Sequence, residues 1–444
     1  MKTEINTATT SEAAIDENKI PTLKNNPSNS SDEMQTAFDR WLINYVYNAI
    51  GRPSICIALW NGLQIGPSDN SEIATVLIKN RRSFLKIALY PDLFFGYAYS
   101  DGDVEVEGDL VGFLVTVYNG LSRAASPNRI LKSIQDWLSK PRQNSRAGSR
   151  ENIHRHYNIG NDFYKLWLDK KMVYTCAYFP TLSHTLEEAQ TAKLDHICRK
   201  LNLRPGQSVV EAGCGWGSLA LHMAQHYGVT VKAYNISKEQ IKYARQRAKQ
   251  EGLTGQVEFI EDDYRNINGQ YDAFVSVGML EHVGAEHFEQ LGQIIQRNLK
   301  PKGYALLHFI GRNKPAPMNA WIEKQIFPGG YPPSLREALE ITEEHNLSVL
   351  DIENLRLHYA KTLEHWLDRY EQHVNQVRDM FDDSFVRSWR LYLAGSIASF
   401  LTSDLQLFQI SFVHAEHNDI PWTREYLYSQ VSHTVDGSGR RAIS

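Results

Sequence analysis

Apolar residues along the chain change period several times, and each change marks an element. Phe38, Trp41, Leu42, Tyr45, Val46 and Ile50 fall three and four apart, which predicts a helix with one apolar face. Short apolar runs at Ser54–Trp60, Glu72–Ile78, Phe84–Tyr90 and Phe94–Tyr99 read as strands. After an Asp101-Gly102 turn, Val104-Glu105-Val106-Glu107 alternates as a half-buried strand does, and Asp109–Leu121 and Ile130–Leu138 return to helical spacing. Residues 34–140 therefore read as a small α+β domain, with no catalytic constellation in it. Residues 1–33, rich in Ser, Thr, Asn and Glu, read as a disordered arm. Residues 141–153 have linker composition. Arg142, Arg146 and Arg150 follow Lys132 and Lys140 there, and both a solvated linker and a weak contact with an anionic surface fit them.

From His154 aromatics crowd the chain, through Tyr157, Phe163, Tyr164 and Trp167 to Tyr174, Tyr178 and Phe179, as in a segment that lids a site. A helix is expected over Leu186–Leu201. Ser208–Val210, Val229–Tyr234, Val257–Ile260, Tyr271–Val277 and Tyr304–Phe309 then read as buried strands separated by helical stretches. That alternation predicts an α/β fold with a doubly wound, mostly parallel sheet. One intervening helix starts near Ser218. Another has Ser237 as N-cap with Gln240 three residues on, and a third spans Glu286–Leu299 before a Pro301-Lys302-Gly303 turn. Ala320–Phe327 and Pro328–Pro333 form a proline-rich insertion over the catalytic edge. Ser334–His345 is helical, Leu347–Glu353 a strand, and helices run from His358 to about Met380 and over Phe385–Leu401. Gln406–Val413 alternates and is expected to close the sheet. The catalytic domain is placed at 154–430 and a disordered tail at 431–444; His414–Tyr428 receives no assignment.

The chemistry gathers where the first of these strands ends. Glu211-Ala212-Gly213-Cys214-Gly215-Trp216-Gly217 joins that strand to a helix through glycines two apart. Such a turn lets a ligand approach the main chain and aims helix N-terminal amides at it. The spacing differs from the dinucleotide fingerprint and resembles the first motif of S-adenosylmethionine (SAM) methyltransferases. A tight turn without a ligand is the plain alternative. Ligands in a doubly wound sheet bind outside the carboxyl ends of the strands. The second strand end, at Asn235, thus faces the ribose side of a nucleoside, and the third offers a carboxylate, Asp262 or Asp263, to an adenine amino group. Glu281 and His282 follow the fourth strand, and His308 and Ile310 end the fifth.

Composition removes several classes. The 444 residues carry a formal net charge of −4, so no bulk electrostatic footprint for nucleic acid exists. Cys56, Cys176, Cys198 and Cys214 form no C-x-x-C pair, which argues against zinc and disulfides and fits a cytoplasmic protein. His154 and His156 lack a third ligand at a convincing spacing, so no metal is expected. The polar N-terminus has no secretory h-region, and no window is apolar enough for a transmembrane helix.

Taken together, several stretches resemble the cyclopropane-fatty-acid-phospholipid synthase family, related to the mycolic acid cyclopropane synthases. They are His156–Asp162, Tyr174–Phe179, Glu211–Gly217, Asn235–Gln240, Gly278–Gly284, Leu307–Gly311 and Ile326–Gly330. The resemblance implies a seven-stranded Rossmann-like SAM methyltransferase domain behind a non-catalytic, lipid- or membrane-associated N-terminal domain. It implies SAM held by Tyr174, Thr175, Glu211, Gly213, Cys214, Gly215, Gly217, Asn235, Ser237, Gln240, Asp263 and Tyr264. It also implies a bicarbonate ion held by Cys176, Glu281, His308, Ile310 and Tyr359. The serine usual before the family's cysteine is Thr175 here. The same resemblance implies a homodimer acting on unsaturated phospholipid; reversible peripheral contact with the inner face of the membrane is expected through the N-terminal domain or the 361–401 helices.

These residue types suit that reaction. An isolated alkene is a poor nucleophile and needs a sulfonium methyl aligned with it in a dry pocket. Methyl transfer leaves a carbocation, which the ring faces of Tyr178, Phe179, Tyr331 and Tyr359 are placed to stabilise. A base then removes a proton from the new methyl and the ring closes. Other exits give methyl-branched, methylene or hydroxy-methyl chains, so a C-methyltransferase without ring closure is the second reading. A lipid-binding protein with a vestigial SAM site is a third, from a different class.

Overall fold

The computed structural model describes residues 35–68, 71–123 and 159–428, together with the backbone of 433–435 and 441–443. The arm at 1–33, the helix at Ile130–Leu138, the linker at 141–153 with its arginines, and the His154/His156 pair lie outside the described residues, as does most of the 431–444 tail. By contact the chain divides into two units, one of residues 1–138 with 378–398, the other of 139–377 with 399–444. The segment 378–398, expected within the catalytic domain, thus packs with the N-terminal unit.

In the N-terminal unit a four-stranded sheet runs in the order β2-β1-β3-β4, formed by β1 (Cys56–Leu59), β2 (Gln64–Ile65), β3 (Ala74–Ile78) and β4 (Val104–Gly108). Two expected strands are helices, Arg81–Leu89 and Pro91–Ser100. Asn80 caps the first by accepting from the Ser83 amide at 2.8 Å, and Pro91 opens the second, where its missing N–H is harmless. The first helix, Ala37–Ala49, forms as expected but turns a different face inward. Leu42, Ile43 and Tyr47 are buried, and so is Asp39, held by Arg81 and by a reciprocal cap with Thr36. Phe38, Trp41 and Tyr45 instead stack in a row on the surface, 51%, 59% and 41% exposed. Arg387, from the helix Asp383–Leu401, donates to the Val104 carbonyl at 2.7 Å and to Glu105 at 3.0 Å.

The second unit holds a seven-stranded sheet of β5 (Ser208–Ala212), β6 (Thr230–Asn235), β7 (Val257–Glu261), β8 (Tyr271–Val277), β9 (Leu299–Gly311), β10 (Leu347–Asn354) and β11 (Gln406–His414). Its order is β10-β11-β9-β8-β5-β6-β7. Strands β5 to β9 run parallel; β11 lies antiparallel between β9 and β10. The last strand therefore does not close the sheet but is inserted one place inside its edge. Helices cover both faces, which is why β5 and β8 read as largely apolar runs and why β11, whose sequence alternates, is nonetheless buried along almost its whole length. The chain reverses direction between β5 and β8, and a ligand crevice opens at such a switch point.

Three further boundaries move. Pro301-Lys302-Gly303 lies inside β9, where the pairing with β8 jumps from Tyr271–Leu299 to Ala273–Tyr304. The segment is a bulge, a position that tolerates a proline in a sheet. The helix expected over Glu286–Leu299 is a short 3₁₀ turn followed by Phe288–Asn298. The helix after Tyr359 breaks at His373 into Arg356–Gln372 and Val374–Met380.

Candidate active site

A cleft lies at the carboxyl ends of β5 to β8. Glu211, Gly213, Cys214 and Gly215 line it from the end of β5, Asn235 and Gln240 from β6, Asp263 and Tyr264 from β7. Tyr174 and Thr175 close it from the segment before the helix Leu186–Lys200. The turn glycines do different work. A Cβ on Gly217 would sit 2.5 Å from the Phe259 ring, so this glycine serves helix–sheet packing and does not line the cleft. A Cβ on Gly215 would meet nothing within 4 Å, because that face opens on the cleft. Asn235 braces the turn, donating to the Gly215 carbonyl at 3.3 Å and to Gln240 Oε1 at 2.8 Å. Ser237 stays outside the lining and caps the helix Lys238–Gln250. The Asp263 carboxylate is engaged by Arg265, through the backbone amide at 2.9 Å and the guanidinium at 3.1 Å.

A second group of residues meets beside this cleft. Glu281 follows β8, and its Oε1 accepts from the Ile310 amide at 2.6 Å. Its Oε2 is buried with no partner among the described residues, and burial pushes the carboxyl up to about 7. His308 stands two residues before Ile310 on β9, on the same face of the strand. Its Nδ1 lies 3.0 Å from Gln409 Nε2 on β11. With the Gln409 amide in this orientation its nitrogen donates, so Nδ1 accepts and the neutral ring carries its proton on Nε2. That Nε2 is also buried without a partner among the described residues, and burial holds the imidazole well below its ordinary range. His282, next to Glu281, lines the cleft and is pushed by burial down to about 4.

Cys176 and Tyr359 join the group through Leu355. The Leu355 carbonyl accepts from the Tyr359 amide at 3.1 Å and from Cys176 Sγ at 3.9 Å, while the Leu355 amide donates to Leu407, the partner of Ile310. Burial pushes the Cys176 thiol far up, so it stays protonated. The Tyr359 ring packs on Phe400 at 4.6 Å and edge-on to Trp366 at 6.0 Å. Tyr331 is tied to the site by its amide, which donates to the Glu281 carbonyl at 2.7 Å, and its hydroxyl donates to Glu337. Tyr178 is sandwiched between the imidazoles of His196 and His358 at 4.4 and 4.9 Å, which covers both ring faces. Phe179 stacks on His365. Neither Tyr178 nor Phe179 lines the cleft.

The family model described as mycolic acid cyclopropane synthetase matches residues 144–410. The chain belongs to this family. It is accordingly a SAM-dependent methyltransferase of the cyclopropane synthase family. A protein of Pseudomonas putida named "Probable fatty acid methyltransferase" is 37% identical over 386 residues, 84% of this chain and 95% of its own. The cyclopropane-fatty-acyl-phospholipid synthase of Escherichia coli K12 is 36% identical over 358 residues, 79% and 91% of the two chains. Among solved structures, mycolic acid cyclopropane synthase CmaA1 complexed with SAH and CTAB superposes with a TM-score of 0.57 at 29% identity. That match covers 59% of this chain and 97% of that one.

The residues of this family member fit SAM. The open face of Gly215 admits a ligand against the main chain, and carboxylate and amide side chains stand at both ends of the cleft. Sequence reading passed over one group here. Lys193 is 2% exposed and donates to Thr175 Oγ1 at 2.9 Å. A signal for it existed: Leu186, Ala189, Gln190, Lys193, Leu194 and Ile197 all fall on one helical stripe, so the polar members of that stripe had to be buried.

Proposed function

We propose that this chain is a cyclopropane-fatty-acyl-phospholipid synthase, adding a methylene from SAM across the cis double bond of an unsaturated phospholipid acyl chain. The observation that carries the reading is the pair of buried, unpartnered polar atoms beside the SAM cleft, Glu281 Oε2 and His308 Nε2. Buried polar atoms are almost always satisfied, so each orphan, one just after β8 and one on the neighbouring β9, is a candidate contact for a small polar group. With the Glu281 carboxyl ionised, its Oε2 is an acceptor and His308 Nε2–H a donor, a pair that suits bicarbonate, with its hydroxyl and its anionic oxygens. Bound there, SAM supplies an electrophilic methyl and bicarbonate a base shielded from water.

The chain's own residues do the rest. The Ile310 amide fixes the orientation of the Glu281 carboxyl, and Gln409 fixes which nitrogen of His308 carries the proton. The protonated Cys176 acts as a wall, not as a nucleophile. The ring of Tyr359, held by Phe400 and Trp366, offers its electron-rich face to cationic charge. Substrate reaches the site by peripheral contact with a phospholipid surface, for which the exposed row Phe38, Trp41 and Tyr45 is suited. Among the described residues no helix is long and apolar enough to cross a membrane. A homodimer belongs to the same proposal and is read by light scattering.

The test is mass spectrometry of lipids from cells expressing the chain and fed methyl-trideuterated methionine. The expected product keeps two deuteriums and resists mild hydrogenation, as a ring does and a methylene does not. Three retained deuteriums would mean methylation without ring closure, the activity suggested by the name of the Pseudomonas putida relative, and would overturn the proposal.

A further inference from the structure

Two polar side chains on the buried stripe of the helix Leu186–Lys200 have no part in the reading above, and both grip Thr175. Gln190 donates from Nε2 to the Thr175 carbonyl at 2.8 Å. Lys193 donates from Nζ to the Thr175 hydroxyl at 2.9 Å, its one hydrogen bond among the described residues. A lysine is almost never fully buried without a task for its polar end. The titratable groups around it include Asp169, Glu211, Cys176, Cys198, His222 and His308. Asp169 is already committed to the amides of Lys171 and Val173 at 2.9 and 2.8 Å, and burial keeps both thiols protonated. Burial holds the Lys193 ammonium below its ordinary range and the Glu211 carboxyl above its own.

A hydroxyl has one proton and two lone pairs. Lys193 takes a lone pair of Thr175 Oγ1, and no acceptor among the described residues takes the proton of a side chain that lines the cleft. The hydroxyl is thus set as a donor toward the cleft, polarised by the amine behind it. Glu211 lines the same cleft, and its Oε2 is buried with no partner among the described residues. Asn235, Gln240, Asp263 and Tyr264 occupy the ends of the strands that face a nucleoside. That leaves the Thr175–Glu211 end for the amino-acid portion of the ligand, a zwitterion needing one donor and one acceptor.

We propose that Lys193 is a positioning residue that holds the Thr175 hydroxyl as hydrogen-bond donor to the carboxylate of SAM, making the cleft selective for ligands with an intact amino-acid end. Glu211 receives the ammonium of the same end. The proposal rests on reading the cleft as the SAM site.

Calorimetric titration of the full chain with S-adenosylhomocysteine and with its decarboxylated analogue tests it. The wild-type chain is expected to prefer the carboxylate-bearing ligand. Lys193→Met and Thr175→Val should each weaken S-adenosylhomocysteine about tenfold or more and shift the analogue's Kd by less than about threefold. Thr175→Ser should keep the preference. Thermal unfolding confirms that each variant is folded, and Thr175→Val carries the test if Lys193→Met is not. An equal loss for both ligands, or no loss for either, overturns the role of Lys193 while leaving the cleft as the SAM site. Failure of the wild-type chain to bind S-adenosylhomocysteine overturns the reading of the cleft, and this proposal with it.

Discussion

Glu281 accepts the Ile310 amide at 2.6 Å through one carboxyl oxygen, while the other is buried with no partner among the described residues. A carboxyl so placed prefers to keep its proton, and burial raises it to about 7 from 4.5. The folded chain then holds a proton that the unfolded chain has lost. This contribution to stability is complete below the unfolded value and disappears as pH rises through about 7. In Glu281→Gln the difference should be small near pH 4.5 and should grow to about 3 kcal/mol in the variant's favour by pH 8. Urea unfolding of both proteins across that range measures it, and a difference independent of pH would show that the carboxyl is not buried as described.

The two turn glycines should separate folding from binding. Gly217→Ala places a methyl group against Phe259 and Ala244 in a left-handed backbone, and a loss of about 2–4 kcal/mol is expected. Gly215→Ala meets no neighbour, so only the backbone penalty of about 1–2 kcal/mol applies. Its affinity for S-adenosylhomocysteine should nevertheless fall, because the added methyl points at the ligand. Intact binding in folded Gly215→Ala would place the ligand elsewhere.

Cys176 is expected to be chemically quiet. Its thiol is buried, protonated and directed at the Ala177 and Leu355 carbonyls. Cys176→Ala should keep turnover within about tenfold of the parent, far from the loss seen when a nucleophile is removed. Iodoacetamide should leave the residue unlabelled in the folded chain at pH 7. Rapid, inactivating labelling at that position would require a thiolate, and the account of the site would fail.

Phe38→Ser combined with Trp41→Ser removes two large exposed rings and no buried contact of the inner face. Thermal stability should change by less than about 1 kcal/mol, while co-sedimentation with phosphatidylglycerol vesicles should weaken several-fold. Unchanged sedimentation would move the lipid contact to another surface.

The glycine-turn half of the chain was legible because its signals are local. Buried parallel strands are short apolar runs, and Ser237 and Ser334 announce the helices that follow them. The N-terminal unit was harder. Phe84–Tyr90 and Phe94–Tyr99 are apolar enough for strands, and only Asn80 and Pro91, read as helix starts, point the other way. The inward face of the first helix was misjudged because Asp39 is buried through a distant arginine, Arg81, which no periodicity reveals. Lys193 was missed for a similar reason, since a lysine on a helix ordinarily means solvent. Tyr178 illustrates a different limit. Its aromatic character was evident, but not the two histidines, 18 and 180 residues later, that close over its ring.

The inserted strand β11 has a consequence for the order of events at the ribosome. Strands β5 to β9 emerge in succession and can assemble the SAM cleft among themselves. Gln409, which sets the proton of His308, and Leu407, which pairs with Ile310, arrive about 100 residues later. Until β11 has been made, His308 and Ile310 lack these partners, so the proton-handling side is the last part of the sheet for which all the residues exist.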